Sequence, residues 1–154
     1  MMNFMKWYVA LLAAALSAQT APIGDVKTVY LLPMSSSLDQ YLAMHLTAGN
    51  VLQVVTDPKK ADAILSDRIG ATLDQKLDDL YGKSKPKPKD SMDDSPQPVI
   101  QPVSRARGMI FLIDRKTRNV LWSVYERPKT TSPDDLNRAA DKIAAKLSKD
   151  LKGK

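Results

Sequence analysis

The side chains that could do chemistry in this chain are few. His45 is the single histidine, cysteine is absent, and the carboxylates include adjacent pairs such as Asp78 with Asp79 and Asp93 with Asp94. A Ser-His-Asp triad would have to use His45, and no nucleophile-elbow sequence accompanies it. That histidine shares a helical stripe with Leu38, Tyr41 and Leu42, which predicts a partly buried residue, or one at the boundary of the buried face, rather than a catalytic base. With no second histidine and no thiolate, and with acidic pairs that lack the spacing of a calcium loop, the sequence predicts neither a metal nor a cofactor. The six glycines form no loop after a strand that could cradle a phosphate. No catalytic set is predicted, and the chain reads as a non-enzyme. The enzymatic alternative is a carboxylate-dependent hydrolase of glycan or peptide, because such carboxylates meet in space and not in sequence.

Residues suited to contact are easier to find. Lys83, Lys85, Lys87 and Lys89 alternate with serine or proline, and Tyr125 closes an apolar run just before Glu126 and Arg127. These four lysines, Tyr125 and Arg127 are the candidate partner contacts. Trp122 alternates with valines and reads instead as a core anchor. The net charge of +6 would suit an anionic surface, yet a modest excess also suits a solvated face. Lys142, Lys146, Lys149, Lys152 and Lys154 fall near the end of a predicted helix, where the helix dipole favours positive charge.

The elements that must position these residues follow from periodicity. Residues 26–32 (VKTVYLL) read as a strand closed by Pro33, and Ser36 with Asp39 forms a weak capping box before a helix that Gly49 and Asn50 stop. Residues 51–55 (VLQVV) and 61–69 (ADAILSDRI) give two more strands, and Leu73, Leu77, Leu80 and Tyr81 mark a second helix ending at Gly82. Residues 109–113 (MIFLI) and 120–125 (VLWSVY) flank a polar turn and predict a β-hairpin. Both faces of the second hairpin strand are largely apolar, which predicts a central strand. Ser132, Pro133 and Asp135 then announce a helix whose Leu136, Ala139, Ala140, Ile143, Ala144, Leu147 and Leu151 hold one face.

Residues 83–107 interrupt this order. Five prolines, the alternating lysines and the acidic Asp90, Asp93 and Asp94 leave too little apolar surface to offset ordering entropy, so the sequence predicts a flexible insert. An insert of this kind is either a docking arm or a tolerated surface insertion. Used as an arm, its lysines would make the chain a surface adhesin.

The N-terminus predicts the compartment. Lys6 precedes the apolar residues 7–16, and the small residues Ser17, Ala18, Thr20 and Ala21 follow, which is the layout of a secretory signal peptide. The apolar run is about half of the roughly 20 residues needed to span a bilayer. Residues 1–21 are therefore read as a signal peptide and 22–154 as one exported domain, periplasmic or secreted, with no stable transmembrane segment after cleavage. Export argues against nucleic acid as a partner and for an envelope protein or cell-wall component.

Taken with these elements, residues 51–69 (VLQVVTDPKKADAILSDRI) and 108–128 (GMIFLIDRKTRNVLWSVYERP) resemble a family of small exported bacterial proteins of unknown function, of acidobacterial type. More distantly the chain is similar to periplasmic α/β modules such as the N-terminal domain of TolB and the curli-secretion lipoprotein CsgG. Ala61 and Asp62 match a pair that opens a strand in those modules, and Val120, Leu121 and Trp122 match a late strand. The chain lacks the lipidated cysteine of the lipoprotein members, so their membrane tether is not implied. The fold expected is α+β: one domain with a mixed five-stranded sheet, ordered β-α-β-β-α-insert-β-β-α, and helices mainly on one face. The function expected is a noncatalytic envelope module for binding or assembly.

Overall fold

The computed structural model describes residues 22–82 and 108–153. Along them run β1 (Thr28–Leu31), α1 (Leu38–Ala48), β2 (Gln53–Val54), β3 (Ala63–Ser66), α2 (Ala71–Tyr81), β4 (Met109–Asp114), β5 (Val120–Tyr125) and α3 (Pro133–Lys152). The strands form a single sheet in the order β2-β1-β3-β4-β5. β1 is parallel to β2 and β3, whereas β3 with β4 and β4 with β5 are antiparallel, so the sheet is mixed. The α+β class, the five strands and the three helices match the expectation from sequence.

Local chemistry explains most boundaries. Ser132 caps α3 by accepting the Asp135 N–H, and Pro133 occupies the first turn, where a missing N–H is harmless. The capping box expected at Ser36 and Asp39 does not form. Ser36 and Ser37 both turn left-handed, at φ of 58° and 59°, and Asp39 Oδ1 instead accepts the Met34 N–H at 3.0 Å. β2 is shorter than the apolar run of 51–55 suggested. All four β3 residues are buried because this strand is central and has helices on both faces.

The core has two parts. Val29, Ala63, Leu65, Ile110 and Leu112 face Leu38, Leu42 and Leu46 of α1 together with Leu136, Ala140, Ile143 and Leu147 of α3. On the opposite face Leu32, Ile64 and Ile113 meet Leu73 and Leu77 of α2, with Tyr30, Tyr81 and Phe111 at the margin. Two helices thus share one face and α2 covers part of the other. The hairpin turn holds α2 in place: Arg118 Nη2 donates to Asp78 Oδ1 at 2.7 Å, and the Arg115 guanidinium lies over the Tyr81 ring.

One expectation is overturned here: β5 is not central but lies at an end of the sheet. Its apolar residues divide between two surroundings. Leu121, Trp122 and Val124 pack against the main core, whereas Val120 and Tyr125 are exposed. An apolar residue on each face does not require a neighbour on each side.

Gly108 fits where β4 begins because its φ is +103° and a Cβ there would lie 2.9 Å from Arg127 Cα. Gly108→Ala should therefore destabilise the protein by about 1–3 kcal/mol, read as a lower urea midpoint with an unchanged slope. An unaltered midpoint would mean that the β4 entrance relaxes freely.

Candidate functional site

The candidate contacts named from sequence fall in two groups. Lys83, Lys85, Lys87 and Lys89 lie outside the described residues. Tyr125 and Arg127 are described, and the fold brings them together at the end of β5, where Tyr125 is 57% exposed and Arg127 is exposed as well.

Pairing with β4 determines what β5 presents outward. Its register joins Met109 to Tyr125, Ile110 to Val124, Phe111 to Ser123 and Leu112 to Trp122, and Glu126 N–H donates to Gly108 O at 2.8 Å. In an antiparallel ladder hydrogen-bonded and non-bonded pairs alternate, so Val124 and Trp122 turn their backbone groups toward β4. The N–H and C=O of Ser123 and Tyr125 point away from the sheet. A shift of register between Leu112 and Ile113 then joins Ile113 to Val120. Val120, Ser123 and Tyr125 share the face away from α3, and all three are exposed. No residue from Val120 to Tyr125 is charged. Edge strands usually carry charge, proline or a cover that prevents further pairing, and this edge has none of these among the described residues.

On its other face β5 is bordered by a helix ridge. Glu126 receives Lys146 Nζ at 3.0 Å and Lys142 Nζ at 3.3 Å, and the Trp122 indole N–H donates to Asp150 Oδ2 at 2.7 Å. Residues 142, 146 and 150 follow one helical ridge, so α3 runs alongside β5 in the opposite direction. Both lysines remain at least half exposed while sharing one carboxylate. With Arg127, Lys129 and Lys149 also exposed, the ground beside the edge is basic.

The Lys146 hydrogen bond is the largest influence on the Glu126 carboxyl; burial opposes it, and the Lys142 hydrogen bond with the charge of both lysines brings the group below its ordinary range. A carboxylate depressed in the fold contributes stability above its unfolded pKa and loses it as pH falls through the folded one. Carbon-detected NMR titration should place the Glu126 midpoint below that of a free glutamate, and Lys146→Ala should move it up. A midpoint unmoved by that substitution would show that the pair does not persist in solution.

Other polar residues act within the fold. His45 Nε2 lies 2.8 Å from Asn137 Oδ1 and Nδ1 lies 3.5 Å from Asp141 Oδ1, which places the ring in the seam between α1 and α3. Burial pushes the Asp62 carboxyl up, but the backbone amides of Thr28 and Lys27 outweigh it and leave the group lowered. Asp135 is lowered too, first by the Thr130 hydroxyl. Asp62, Glu126 and Asp135 are thus each held below the ordinary carboxylate range, the opposite of the raised carboxyl of a general acid. Among the described residues no three acidic or histidine side chains gather as a metal group, and no helix is long and apolar enough to cross a membrane. An open depression of about 230 Å³ lies between Tyr30, Leu32, Pro33, Lys76, Asp79 and Leu80, on the α2 side of the sheet.

Fold and site together define a small α+β module with a six-residue uncharged strand exposed along one edge. Scans against protein-family models, curated proteins and solved structures found no match.

Proposed function

We propose that this protein is a noncatalytic exported module that binds a protein of the bacterial envelope and holds it for assembly. The observation that supports this reading is the open β5 edge, where Ser123 and Tyr125 turn backbone donors and acceptors outward beside exposed apolar side chains. Main-chain groups at a strand edge bind another polypeptide by continuing the ladder, and alternate side chains select it. The export pattern of residues 7–21 and the resemblance to periplasmic α/β modules make the envelope the compartment of choice.

The test is affinity capture from envelope extract with three baits: the wild-type chain, Tyr125→Lys, and a deletion of residues 83–107. The reading expects a protein retained by wild type and by the deletion but lost with Tyr125→Lys. Retention that depends on residues 83–107 and ignores Tyr125 would move binding to the lysine-rich insert. Turnover of a glycan or peptide by the wild-type chain would replace binding with catalysis.

A further inference from the structure

We propose that the β5 edge accepts an extended acidic polypeptide segment as a sixth strand. The inference rests on the binding reading above and gives the partner a chemistry. Two independent features converge on it. The first is the ladder, because Ser123 and Tyr125 offer unpaired N–H and C=O groups among the described residues, and the exposed Val120 and Tyr125 flank the small Ser123 on one face. An incoming strand would set apolar or hydroxyl side chains over that face at every second position.

The second feature is charge. Lys142 and Lys146 of α3 border the edge with one carboxylate between them, and the exposed Arg127 and Lys129 extend the same sign beyond the C-terminal end of β5. Lys116 adds an exposed positive charge in the turn before the strand. The centre of the strand is uncharged, and around it the cations Lys116, Arg127, Lys129, Lys142 and Lys146 outnumber the carboxylates Glu126 and Asp150. A basic partner would meet like charge on entry, whereas an acidic one is steered and then held in register at its ends. The segment that fits best has an apolar-polar alternating centre with carboxylates flanking it. The opposite sheet edge, β2, is only two residues long and offers little ladder for the same purpose.

The experiment uses the full chain and a fluorescent synthetic peptide, Asp-Glu-Val-Thr-Val-Thr-Val-Asp-Glu, with a counterpart whose acidic residues are lysines. Anisotropy should show saturable binding of the acidic peptide, weakening as salt rises, and binding of the lysine peptide weaker by about tenfold or more. Ser123→Pro removes an outward donor at a strand edge, where proline is tolerated, and should abolish binding. If that variant melts early, the double charge reversal Arg127→Glu with Lys129→Glu, both exposed, should still weaken the acidic peptide by about tenfold. Equal binding of both peptides, or binding indifferent to both variants, would overturn the proposal. So would concentration-dependent dimerisation that Ser123→Pro abolishes, which would make a second copy the occupant. Binding seen only after deletion of residues 83–107 would likewise assign the edge to the chain itself. If the peptide fails while a Tyr125-dependent envelope protein is still captured, the acidic chemistry is wrong and the binding reading stands; if both fail, the reading falls with it.

Discussion

Leu112→Ala should lower the unfolding free energy by about 2–5 kcal/mol, a substantial share of the roughly 5–15 kcal/mol typical of a domain. Leu112 is fully buried in β4, in the larger of the two core clusters, where α1, α3 and the sheet meet. Truncation there removes contacts with elements distant in sequence and leaves a cavity that the sheet cannot close by a rotamer change. Leu77→Ala is the control, because Leu77 is equally buried but belongs to the smaller cluster under α2. Its loss should be smaller, because α2 also keeps the Arg118–Asp78 and Arg115–Tyr81 contacts. Urea unfolding checks both. Equal losses would mean that the two faces contribute alike and that the α1–α3 face is not the principal core.

Trp122→Ala and Tyr125→Ala, three positions apart on one strand, should have opposite consequences. Trp122 packs on the main cluster and its indole N–H donates to Asp150, so its truncation should cost about 2–3 kcal/mol, somewhat less than for a fully buried tryptophan. Tyr125 faces solvent, and its truncation should change stability by no more than about 0.5 kcal/mol while removing partner capture. Thermal melts and the capture assay, run on the same two variants, read both effects. A Tyr125→Ala protein that melts early would show that the tyrosine belongs to the core.

The elements legible in the sequence were those whose signals are local. Ser132, Pro133 and Asp135 marked the start of α3, and the spacing from Leu136 to Leu147 marked its buried face, because capping and periodicity act within a few residues. The position of β5 was not legible. Its apolar pattern suits a central strand, but strand order depends on β3 pairing with β4, partners separated by α2 and residues 83–107. The left-handed Ser36 and Ser37 were also hidden, since serine at a helix start ordinarily signals a side-chain cap.

The candidate site was legible in halves. Tyr125 and Arg127 stood out as an exposed aromatic and a cation at a strand end. The lysines of α3 were visible only as the solvated side of a helix, and nothing in their spacing showed that Lys142 and Lys146 would border β5. That juxtaposition requires α3 to lie alongside the edge strand, a tertiary fact. Asp62 gave no signal beyond the Ala-Asp pair, although its carboxylate ties the start of β3 to the amides of Lys27 and Thr28.

The most direct measurement is residue-resolved amide hydrogen exchange in β5 of the full chain, with and without the acidic peptide. In the free protein the outward amides of Ser123 and Tyr125 should exchange much faster than the inward ones of Trp122 and Val124. With the peptide bound, Ser123 and Tyr125 should slow selectively as the new ladder protects them. Unchanged exchange at those two amides under saturating peptide, or protection centred elsewhere on the molecule, would contradict the assignment of β5 as the docking edge.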